Sequence, residues 1–375
     1  MQISQLSTAV PKNTYSTEEL MEDFPCQIPE GVKQNVVNLG ISKRHLVNPV
    51  DLSDKPRDVL GEKALVDLHV EACEQSFERA DLTIHDIDYF VAAYDASPFL
   101  SPGLSFLLAR KLGFNPYIKH VSIQGMACAA FPKALELAED HLSRYPKDHV
   151  LLCMSGVNSY WFSNQVRGME DVMEIDKIGL LKDKGKRQTE LRKWIATMEF
   201  FLFGDGVASV IVANNEDGLS VGKIVSVTNL KMKDFFAGHA QLVPLNEPFK
   251  FGFESYLDKD LPKLGVQYTS VALRKLLGKN AGDKLDAIKK WAIHTGSKKI
   301  LHKMSEYYHI PDEKLEESYK VLTECGNLAG ASLPFILERI ISENDFSRND
   351  LISTLDFGWG FSASACLLGF QKWHH

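Results

Sequence analysis

Residues 203–210 read FGDGVASV and residues 357–364 read FGWGFSAS, and this repeated stretch decides the predicted fold. Each copy leads into an apolar run typical of a buried strand, and the copies lie 154 residues apart, which is 357 minus 203. A duplicated unit would repeat such a stretch at about half the chain length. A coincidence between two glycine-rich turns is the alternative. With a duplication, the boundary falls near the polar, turn-forming residues 214–218, NNEDG.

Helical and strand-like patterns alternate along the first half of the chain, which is typical of an α/β protein. The sequence predicts helices over residues 60–80, 105–112 and 129–142, and strands over residues 88–93, 119–123 and 149–154. At 375 residues the chain is long enough for more than one domain. We therefore predict two α/β halves, residues 1–217 and residues 218–375.

The composition, with 45% hydrophobic and 24% charged residues, is ordinary for a soluble globular protein. The net charge of −7 argues against non-specific binding to nucleic acid. No run of about 18 apolar residues and no secretory signal is found, so neither a membrane span nor export is expected. The six cysteines show no paired spacing, which argues against a disulfide framework and a metal site. The cytoplasm is the expected location.

Cys128 stands out because it lies between a predicted strand and a predicted helix, in SIQGMACAAFPKALELAEDHL at residues 122–142. Unpaired N–H groups and the dipole at a helix N-terminus favour a thiolate. The neighbouring side chains are small or apolar, which suits a thiol at the end of a narrow cavity. The alternative is a free cysteine that is only a small buried hydrophobic residue.

His294 and Asn327 lie in two further turns that lead into predicted helices. His294 ends an apolar strand in KKWAIHTGSKKIL, at the sheet edge where sites of α/β proteins form. Asn327 lies in the glycine-flanked turn ECGNLAGASLPFILERI. A satisfied core histidine and an asparagine chosen for its backbone tolerance are the alternatives.

Together these three side chains can perform a condensation. The cysteine takes an acyl group from a thioester. A neutral imidazole and an amide can both donate hydrogen bonds to a thioester oxygen, which stabilises the enolate formed when a malonyl group loses carbon dioxide. That enolate then attacks the acyl group on Cys128. The scheme needs no metal and no redox cofactor.

At these residues the chain resembles the thiolase-fold condensing enzymes, above all the chalcone-synthase-like (type III) polyketide synthases and the ketoacyl synthases III. The similar blocks, in chain order, are STAVPKNTYSTEEL, GISKRHLV, SPGLSFLLARKLGFNPYIKHVSIQGMACAA, FLFGDGVASVIV, AIHTGSKKIL, ECGNLAGASLPFIL and FGWGFSASACLL. The resemblance implies a duplicated five-layered αβαβα fold and a homodimer. It also implies acyl-coenzyme A or acyl-carrier-protein thioesters as substrates, with no bound cofactor.

The resemblance assigns a role to each residue of the predicted site. Cys128 would be the nucleophile, and His294 and Asn327 the pair that promotes decarboxylation and holds the enolate. The backbone N–H groups of Cys128 and Trp359 would form the oxyanion hole of the acyl-enzyme. Trp359 stands where relatives carry a small residue or proline, and this change would reshape the floor of the cavity.

Other positions are implied in binding. Lys43 and Arg44 fall where relatives hold the phosphates of coenzyme A or of phosphopantetheine, and a solvated basic pair is the alternative. An insertion at about residues 160–198 is expected to cap the cavity mouth and to shape acyl selection or partner docking. The candidates for lining the cavity are Trp161, Phe162 and Phe203.

Competing functions remain open within and outside this fold. Papain-like proteases share the order Cys, His, Asn, but their local cysteine signature is absent. A non-decarboxylative condensing enzyme would need a glutamate base, for which Glu324 is near Asn327 in sequence. An acyltransferase could use Cys128 and His294, and a non-enzymatic acyl-binding or dimerisation partner would have lost turnover. We predict a decarboxylative Claisen catalyst with a malonyl-type extender.

Overall fold

The computed structural model describes residues 1–47, 62–97, 101–244, 251–278, 285, 287–348 and 350–372. In these ranges the strands are β1 (Gln2–Ala9), β2 (Thr14–Ser16), β3 (Lys43–His45), β4 (Tyr89–Tyr94), β5 (Lys119–Gln124), β6 (Val150–Gly156), β7 (Gly206–Ala213), β8 (Gly218–Val221), β9 (Val225–Thr228), β10 (Gly238–Pro244), β11 (Phe251–Leu257), β12 (Ile288–Ile293), β13 (Leu351–Gly358) and β14 (Ser362–Lys372).

The helices of the same ranges are α1 (Thr17–Glu22), α2 (Glu30–Val37), α3 (Glu62–Ala80), α4 (Leu104–Leu112), α5 (Ala130–Arg144), α6 (Ser159–Val166), α7 (Ile175–Gly179), α8 (Lys184–Leu202), α9 (Met232–Phe235), α10 (Leu261–Leu277), α11 (Lys298–Tyr308), α12 (Glu316–Cys325) and α13 (Ser332–Glu343). The predicted segments are confirmed, with ends shifted by two residues or fewer. Residues 60 and 61 of the first predicted helix lie outside the described residues.

The two halves of the chain build similar parts of one mixed sheet. In the first half the strand order is β5–β4–β6–β7–β1, with β4 parallel to β5 and β6 and with β7 antiparallel to β6 and β1. In the second half the order is β12–β13–β14–β9, with β13 parallel to β12 and β14 antiparallel to both neighbours. Strands β7 and β14 therefore occupy equivalent places, and each begins within one copy of the repeated glycine-rich stretch.

Strand β8 joins the two parts, because it pairs antiparallel with β1 on one side and with β14 on the other. It begins at Gly218, the first residue of the predicted second half. The division of the chain at that point stays a prediction, although the strand order changes from one half to the other at β8.

The helices form layers because strand side chains alternate between two faces. In the first half Val91 belongs to a core shared by α5 and α13, whereas Phe90 packs with α3 and α4 on the opposite face. In the second half Ile352 faces the same shared core, and Leu355 packs with α10 and α11. The order of layers is thus α3/α4, the first-half part of the sheet, α5/α13, the second-half part of the sheet, and α10/α11. This is the predicted five-layered αβαβα arrangement.

The halves differ most between their last two strands. Helices α6, α7 and α8 separate β6 from β7, whereas only residues 359–361 separate β13 from β14. The predicted insertion at 160–198 lies inside this segment. The whole segment packs on α1 and α2 through an apolar cluster. In this cluster the rings of Phe200 and Phe201, just after the insertion, lie 5.8 Å and 5.5 Å from that of Phe24, which lies between α1 and α2. None of the described helices is long and apolar enough to cross a membrane.

Candidate active site

Cys128 lies in a three-residue 3₁₀ turn, Ala127–Ala129, between β5 and the central helix α5. The side chain is only 8% exposed. Ala127 has a φ of +48°, a left-handed conformation that costs free energy for a residue with a Cβ. Its N–H donates to Oδ1 of Asp95 at 2.9 Å, which holds the strained turn in place. The predicted strand–turn–helix setting of Cys128 is confirmed.

Asn327 precedes an equivalent turn in the second half. Ala329–Ala331 form a 3₁₀ turn before the central helix α13, and Ala329 has a φ of +46°. The two turns are in contact, since a Cβ on Gly330 would lie 3.0 Å from the Cβ of Ala130. This contact places Sγ of Cys128 4.0 Å from Oδ1 of Asn327.

Backbone contacts fix the orientation of Asn327. Its N–H donates to the carbonyl of Leu202 at 2.9 Å, and its carbonyl accepts from the N–H of Gly204 at 3.2 Å. Its side-chain Oδ1 accepts from the N–H of Ala329 at 2.8 Å. The amide oxygen is committed to this bond, and the amide nitrogen is the hydrogen-bond donor of the side chain.

His294 follows the last residue of β12 and is 1% exposed. Its N–H donates to the carbonyl of Leu355, and the edge of Phe357 contacts its ring at a centroid distance of 5.2 Å. Nδ1 lies 3.9 Å from Oδ1 of Asp356, which is also buried. The end of β13 therefore packs directly against the histidine.

The same end of β13 reaches the nucleophile turn. A Cβ on Gly358 would lie 2.9 Å from the carbonyl oxygen of Met126 and 3.0 Å from the backbone nitrogen of Ala129. Trp359 follows this close approach, and its indole packs against Gly238 at the start of β10. The backbone position is compatible with the predicted oxyanion hole formed by the N–H groups of Trp359 and Cys128, whose role stays a prediction.

Burial controls the charges in this site. Burial raises the pKa of the Cys128 thiol well above its usual value, and the carboxyl groups of Asp95 and Asp356 raise it further. Burial also lowers the pKa of His294 to about 3 and raises that of Asp95 to about 6. Desolvation at Cys128 therefore opposes the thiolate that the helix dipole favours.

The predicted aromatic candidates lie beside Asn327. Phe203 forms an isolated parallel bridge with Asn327, and its ring stacks on Phe162 of α6 at a centroid distance of 4.5 Å and an angle of 13°. Both rings are buried, whereas Trp161 is partly exposed. Phe203 and Phe162 thus form one aromatic pair next to the asparagine turn. That they line a cavity stays a prediction.

The two residues of the predicted phosphate-binding pair, Lys43 and Arg44, differ in their exposure to solvent. Lys43 is exposed. Arg44 is completely buried, and its guanidinium donates to the carbonyl of Phe200 at 3.2 Å and to Oγ1 of Thr17 at 2.9 Å. A guanidinium committed to these bonds cannot face a phosphate in solvent, so the phosphate-binding role is wrong for Arg44. The side chain instead ties β3 to α8 and α1.

Glu324, the base considered for a non-decarboxylative reaction, forms an ion pair with Arg339 and is 38% exposed. It is therefore unsuited to act as a base inside a buried site. Sequence reasoning missed two buried carboxyl groups, Asp356 and Glu199. Both carry a detectable signal, because each is the only charged residue in an otherwise apolar stretch, TLDFGW and TMEFFLF.

Glu199 lies one helical turn before Phe203 at the end of α8 and is fully buried. One carboxyl oxygen accepts from Oγ of Ser255 on β11, and Oε1 lacks a hydrogen-bond partner among the described residues. Burial raises its pKa to about 8. Across the described ranges, no three His, Cys, Asp or Glu side chains are grouped to hold a metal ion.

Comparison with known proteins shows what this arrangement is similar to. Residues 279–370 match the family model described as 3-oxoacyl-[acyl-carrier-protein (ACP)] synthase III C terminal. The 1,3,6,8-tetrahydroxynaphthalene synthase of Streptomyces coelicolor is 24% identical over 96% of this chain and 90% of its own length. The 3,5-dihydroxyphenylacetyl-CoA synthase of Amycolatopsis orientalis is 24% identical over 92% of this chain and 86% of its own.

Solved structures agree in fold. The crystal structure of the Streptomyces coelicolor A3(2) tetrahydroxynaphthalene synthase, a bacterial type III polyketide synthase, matches with a TM-score of 0.79 at 23% identity. The match covers 99% of this chain and 100% of the length of the synthase. The type III polyketide synthase domain of Steely1 from Dictyostelium matches with a TM-score of 0.76 at 20% identity, over 98% of this chain and 99% of its own.

The predicted resemblance to these condensing enzymes is confirmed. The thiolase-type fold is confirmed with it, and the similar proteins are acyl-transferring enzymes of the polyketide synthase type, as the sequence predicts. What the comparisons leave to be tested is the part that each residue of the site plays.

Proposed function

We propose that Cys128 carries an acyl group and that His294 and Asn327 promote its condensation with a malonyl-type thioester. The observation that carries the proposal is the contact between two helix-leading turns, which puts Sγ of Cys128 4.0 Å from Oδ1 of Asn327 in a buried site. The end of β13 packs against both the nucleophile turn and His294. These contacts support a site that combines residues from distant parts of the chain.

Loading transfers an acyl group from a thioester to Cys128. Sγ forms a bond to the carbonyl carbon, the original carbon–sulfur bond breaks, and the proton of the thiol ends on the departing thiol. The N–H groups of Cys128 and Trp359 stabilise the oxygen of the tetrahedral intermediate. A buried acyl-enzyme is protected from water, so it persists until the second substrate arrives.

Condensation uses the other two side chains. His294 and the amide nitrogen of Asn327 donate hydrogen bonds to the carbonyl oxygen of the malonyl thioester. The bond to the carboxylate breaks, carbon dioxide leaves, and the electron pair forms an enolate. The enolate carbon attacks the acyl carbon on Cys128, and the thiolate of Cys128 is released. The electron pair of the new carbon–carbon bond comes from the bond to the lost carboxylate, so no redox cofactor takes part.

The substrate carriers and the assembly belong to the same proposal. Either coenzyme A or an acyl carrier protein can present both thioesters, with Lys43 as the exposed cation near the substrate's phosphates. We also propose a homodimer, because β5 ends the strand order of the described residues and leads straight into the turn of Cys128. An edge strand of this kind is available for pairing.

Intact-mass measurement after incubation with a panel of acyl-CoA thioesters tests the proposal. We expect one acyl group on the wild type and none on Cys128→Ala, followed by discharge and release of a 3-ketoacyl product when malonyl-CoA is added. Cys26→Ala is the matched control, since Cys26 is a partly exposed thiol away from the site. Loading that persists in Cys128→Ala would remove the nucleophile from the proposal.

A second function, non-decarboxylative condensation of two acyl thioesters, is favoured by one observation. Glu199 is a buried carboxyl group whose Oε1 has no hydrogen-bond partner in the part of the chain that the structure describes, and burial raises its pKa to about 8. It lies close to the aromatic pair beside Asn327. Such a group could remove the α-proton of a second acyl thioester. Exchange of α-deuterium from an acyl-CoA, present in the wild type and lost in Glu199→Gln, would select this function over decarboxylation.

A further inference from the structure

Glu199 is a buried carboxyl group that the packing of the chain satisfies only in part. It lies in the last turn of α8 and is completely buried. Oε2 accepts from Oγ of Ser255 on β11, whereas Oε1 has no hydrogen-bond partner among the described residues. No cation of the described ranges acts on the carboxyl group. A buried oxygen without a partner costs free energy, so the fold alone does not account for Oε1.

The end of α8 connects Glu199 to the turn of Asn327. The carbonyl of Glu199 accepts from the N–H of Phe203, and Phe203 forms the isolated bridge with Asn327. The N–H of Asn327 donates to the carbonyl of Leu202 at 2.9 Å. Glu199 therefore lies one helical turn, about 5.4 Å along the axis, from backbone that holds Asn327. Sγ of Cys128 is 4.0 Å from Oδ1 of the same asparagine.

Ser255 connects the same carboxyl group to the turn of Trp359. It lies in β11, which pairs with β10 along its whole length, and β10 begins at Gly238. A Cβ on Gly238 would lie 3.1 Å from Cδ1 of Trp359. Glu199 is thus carried by a helix that packs on the Asn327 turn and bonded to a hairpin that packs on the Trp359 turn. Both of these turns belong to the proposed active site.

The neighbours of Glu199 on its own helix face are apolar. Ile195 and Leu202 lie next to Glu199 at positions i−4 and i+3, and both are buried. The stacked rings of Phe162 and Phe203 lie beside the same helix end. A buried water needs about two to four polar partners, and these four side chains supply none. The surroundings instead suit an organic group with apolar atoms for the rings and one polar atom for Oε1.

We propose that Glu199 is a specificity-determining residue, whose Oε1 forms a hydrogen bond with a hydroxyl group on the acyl chain that Cys128 carries. A hydroxyl group both donates and accepts, so it satisfies Oε1 whether the carboxyl group is ionised or protonated. Ser255 orients the carboxyl group, and the Phe162–Phe203 pair contacts the apolar part of the chain. The inference rests on the proposed function and deepens it, because it names hydroxylated acyl groups as the class of starter.

Other classes of acyl group fit this position less well. An alkyl chain leaves Oε1 without a partner in the loaded enzyme as well. A chain that ends in a carboxylate brings a negative charge into a buried site where no described cation faces it. A chain that ends in an ammonium group loses its hydration against apolar side chains. The hydroxyl group is the one that satisfies Oε1 without burying a further charge.

Competition between paired acyl-CoA thioesters tests the inference. A series of ω-hydroxyacyl-CoA thioesters of increasing chain length is used, each mixed with an equal amount of the unsubstituted acyl-CoA of the same length. Intact mass then gives the ratio of the two acyl groups on Cys128. For the wild type we expect a preference of about 10- to 100-fold for the hydroxylated group at the length that reaches Oε1. No such preference at any length would overturn the inference.

Variants assign this preference to Glu199. Glu199→Leu keeps the size and removes the polar atoms, so the ratio should fall to about one. Glu199→Gln keeps an acceptor and a donor, so the ratio should stay within about threefold of wild type. Met198→Leu is the matched control, because Met198 is buried in the cluster on α1 and α2, and it should leave the ratio unchanged. A structural defect would lower loading of both acyl groups together, and a wild-type ratio in Glu199→Leu would overturn the inference.

Equilibrium binding separates this inference from the proposed function. S-alkyl-CoA thioethers cannot transfer an acyl group, and calorimetry should show about 10-fold tighter binding of the hydroxylated thioether to wild type but not to Glu199→Leu. If no acyl-CoA loads Cys128, the proposed function fails, and the thioether pair still decides the role of Glu199. Equal binding of the two thioethers to wild type would overturn the inference.

Ser255→Ala keeps the test decisive if Glu199→Leu does not fold. Loss of the hydroxyl group that orients the carboxyl group should lower the preference for the hydroxylated thioether by about threefold. An unchanged preference in Ser255→Ala would then overturn the inference. Exchange of α-deuterium that depends on Glu199 would also overturn it, because the carboxyl group would then be the base of the second function.

Discussion

The turn that carries Cys128 and the turn that follows Asn327 are copies of one backbone with different chemistry. Both are three-residue 3₁₀ turns that lead into a central helix, and both hold an alanine in the left-handed region, Ala127 at φ +48° and Ala329 at φ +46°. A strand precedes the first turn, whereas helix α12 precedes the second. The comparison teaches that the strained turn is a shared scaffold, to which the proposed function assigns a nucleophile in one copy and an enolate holder beside the other.

The repeated glycine-rich stretches show the same division. In the first copy Asp205 is buried, and its carboxylate accepts from the N–H groups of Val47, Asn158 and Ser159. In the second copy Trp359 replaces this anchor, and the turn touches the nucleophile segment instead. One copy therefore ties loops to the fold, and the other shapes the site.

The largest effects are expected when the functional side chain of one turn is removed and that of the other is kept. Asn327→Ala should still load an acyl group on Cys128 but decarboxylate malonyl-CoA about 10²- to 10³-fold more slowly, because a donor to the enolate oxygen is lost. Cys128→Ala should show the reverse, with no loading and with decarboxylation retained. Mass spectrometry and carbon dioxide release measure the two steps. If both variants lost both steps, the two turns would not divide the work as described.

Gly204 and Gly358 occupy the same position in the two repeated stretches. Substituting the first should mainly lower the stability of the fold, and substituting the second should mainly lower the rate of condensation. A Cβ on Gly204 would lie 2.0 Å from the carbonyl oxygen of Cys325, so Gly204→Ala should lower the free energy of unfolding by about 3 kcal/mol. A Cβ on Gly358 would lie 2.9 Å from the carbonyl oxygen of Met126. Gly358→Ala should therefore displace the nucleophile turn and slow condensation by about 10²-fold. Denaturation curves and steady-state rates measure both, and a similar pattern in the two variants would contradict the comparison.

The segment between β6 and β7, which has no counterpart in the second half, should carry its own pH dependence through Glu199 at the end of α8. Burial raises the pKa of Glu199 from 4.5 to about 8, so between these values the folded chain binds a proton that the unfolded chain has released. Stability therefore falls as the pH rises through this window, by an amount on the order of 3 kcal/mol. Glu199→Gln should remove that part of the fall. Unfolding curves at pH 5 and pH 8 measure it, and parallel losses in both proteins would argue against a buried, protonated Glu199.

The smallest effect is expected at Lys43, the exposed residue of the predicted phosphate-binding pair. Lys43→Ala should raise KM for a CoA thioester by about threefold and leave kcat unchanged, since an exposed charge contributes little. The matched substrate is a pantetheine-like thioester without phosphates, for which KM should not change. An equal rise for both substrates would mean that Lys43 does not contact the phosphates.

Local pattern was enough for much of the fold and for the strand and turn positions of Cys128, His294 and Asn327, whose roles stay a prediction. The apolar runs and helical periodicities placed the elements around Cys128 within two residues, and the repeated stretch placed β7 and β14 at equivalent positions. Arg44 was misjudged because the residues on either side of it suggest an exposed basic pair. Only the packing of α8 over β3 shows that the guanidinium is buried.

What the sequence determined by itself was the alternation of elements, the duplication and the identity of the residues at the ends of strands, since these follow from short-range periodicity and motif. The tertiary structure decided their states. It buried Cys128, which raises the pKa of the thiol, and it placed Asp356 beside His294 at a sequence separation of 62, which is 356 minus 294. Desolvation and long-range contact depend on every layer of the packed molecule, so no local stretch of sequence encodes them.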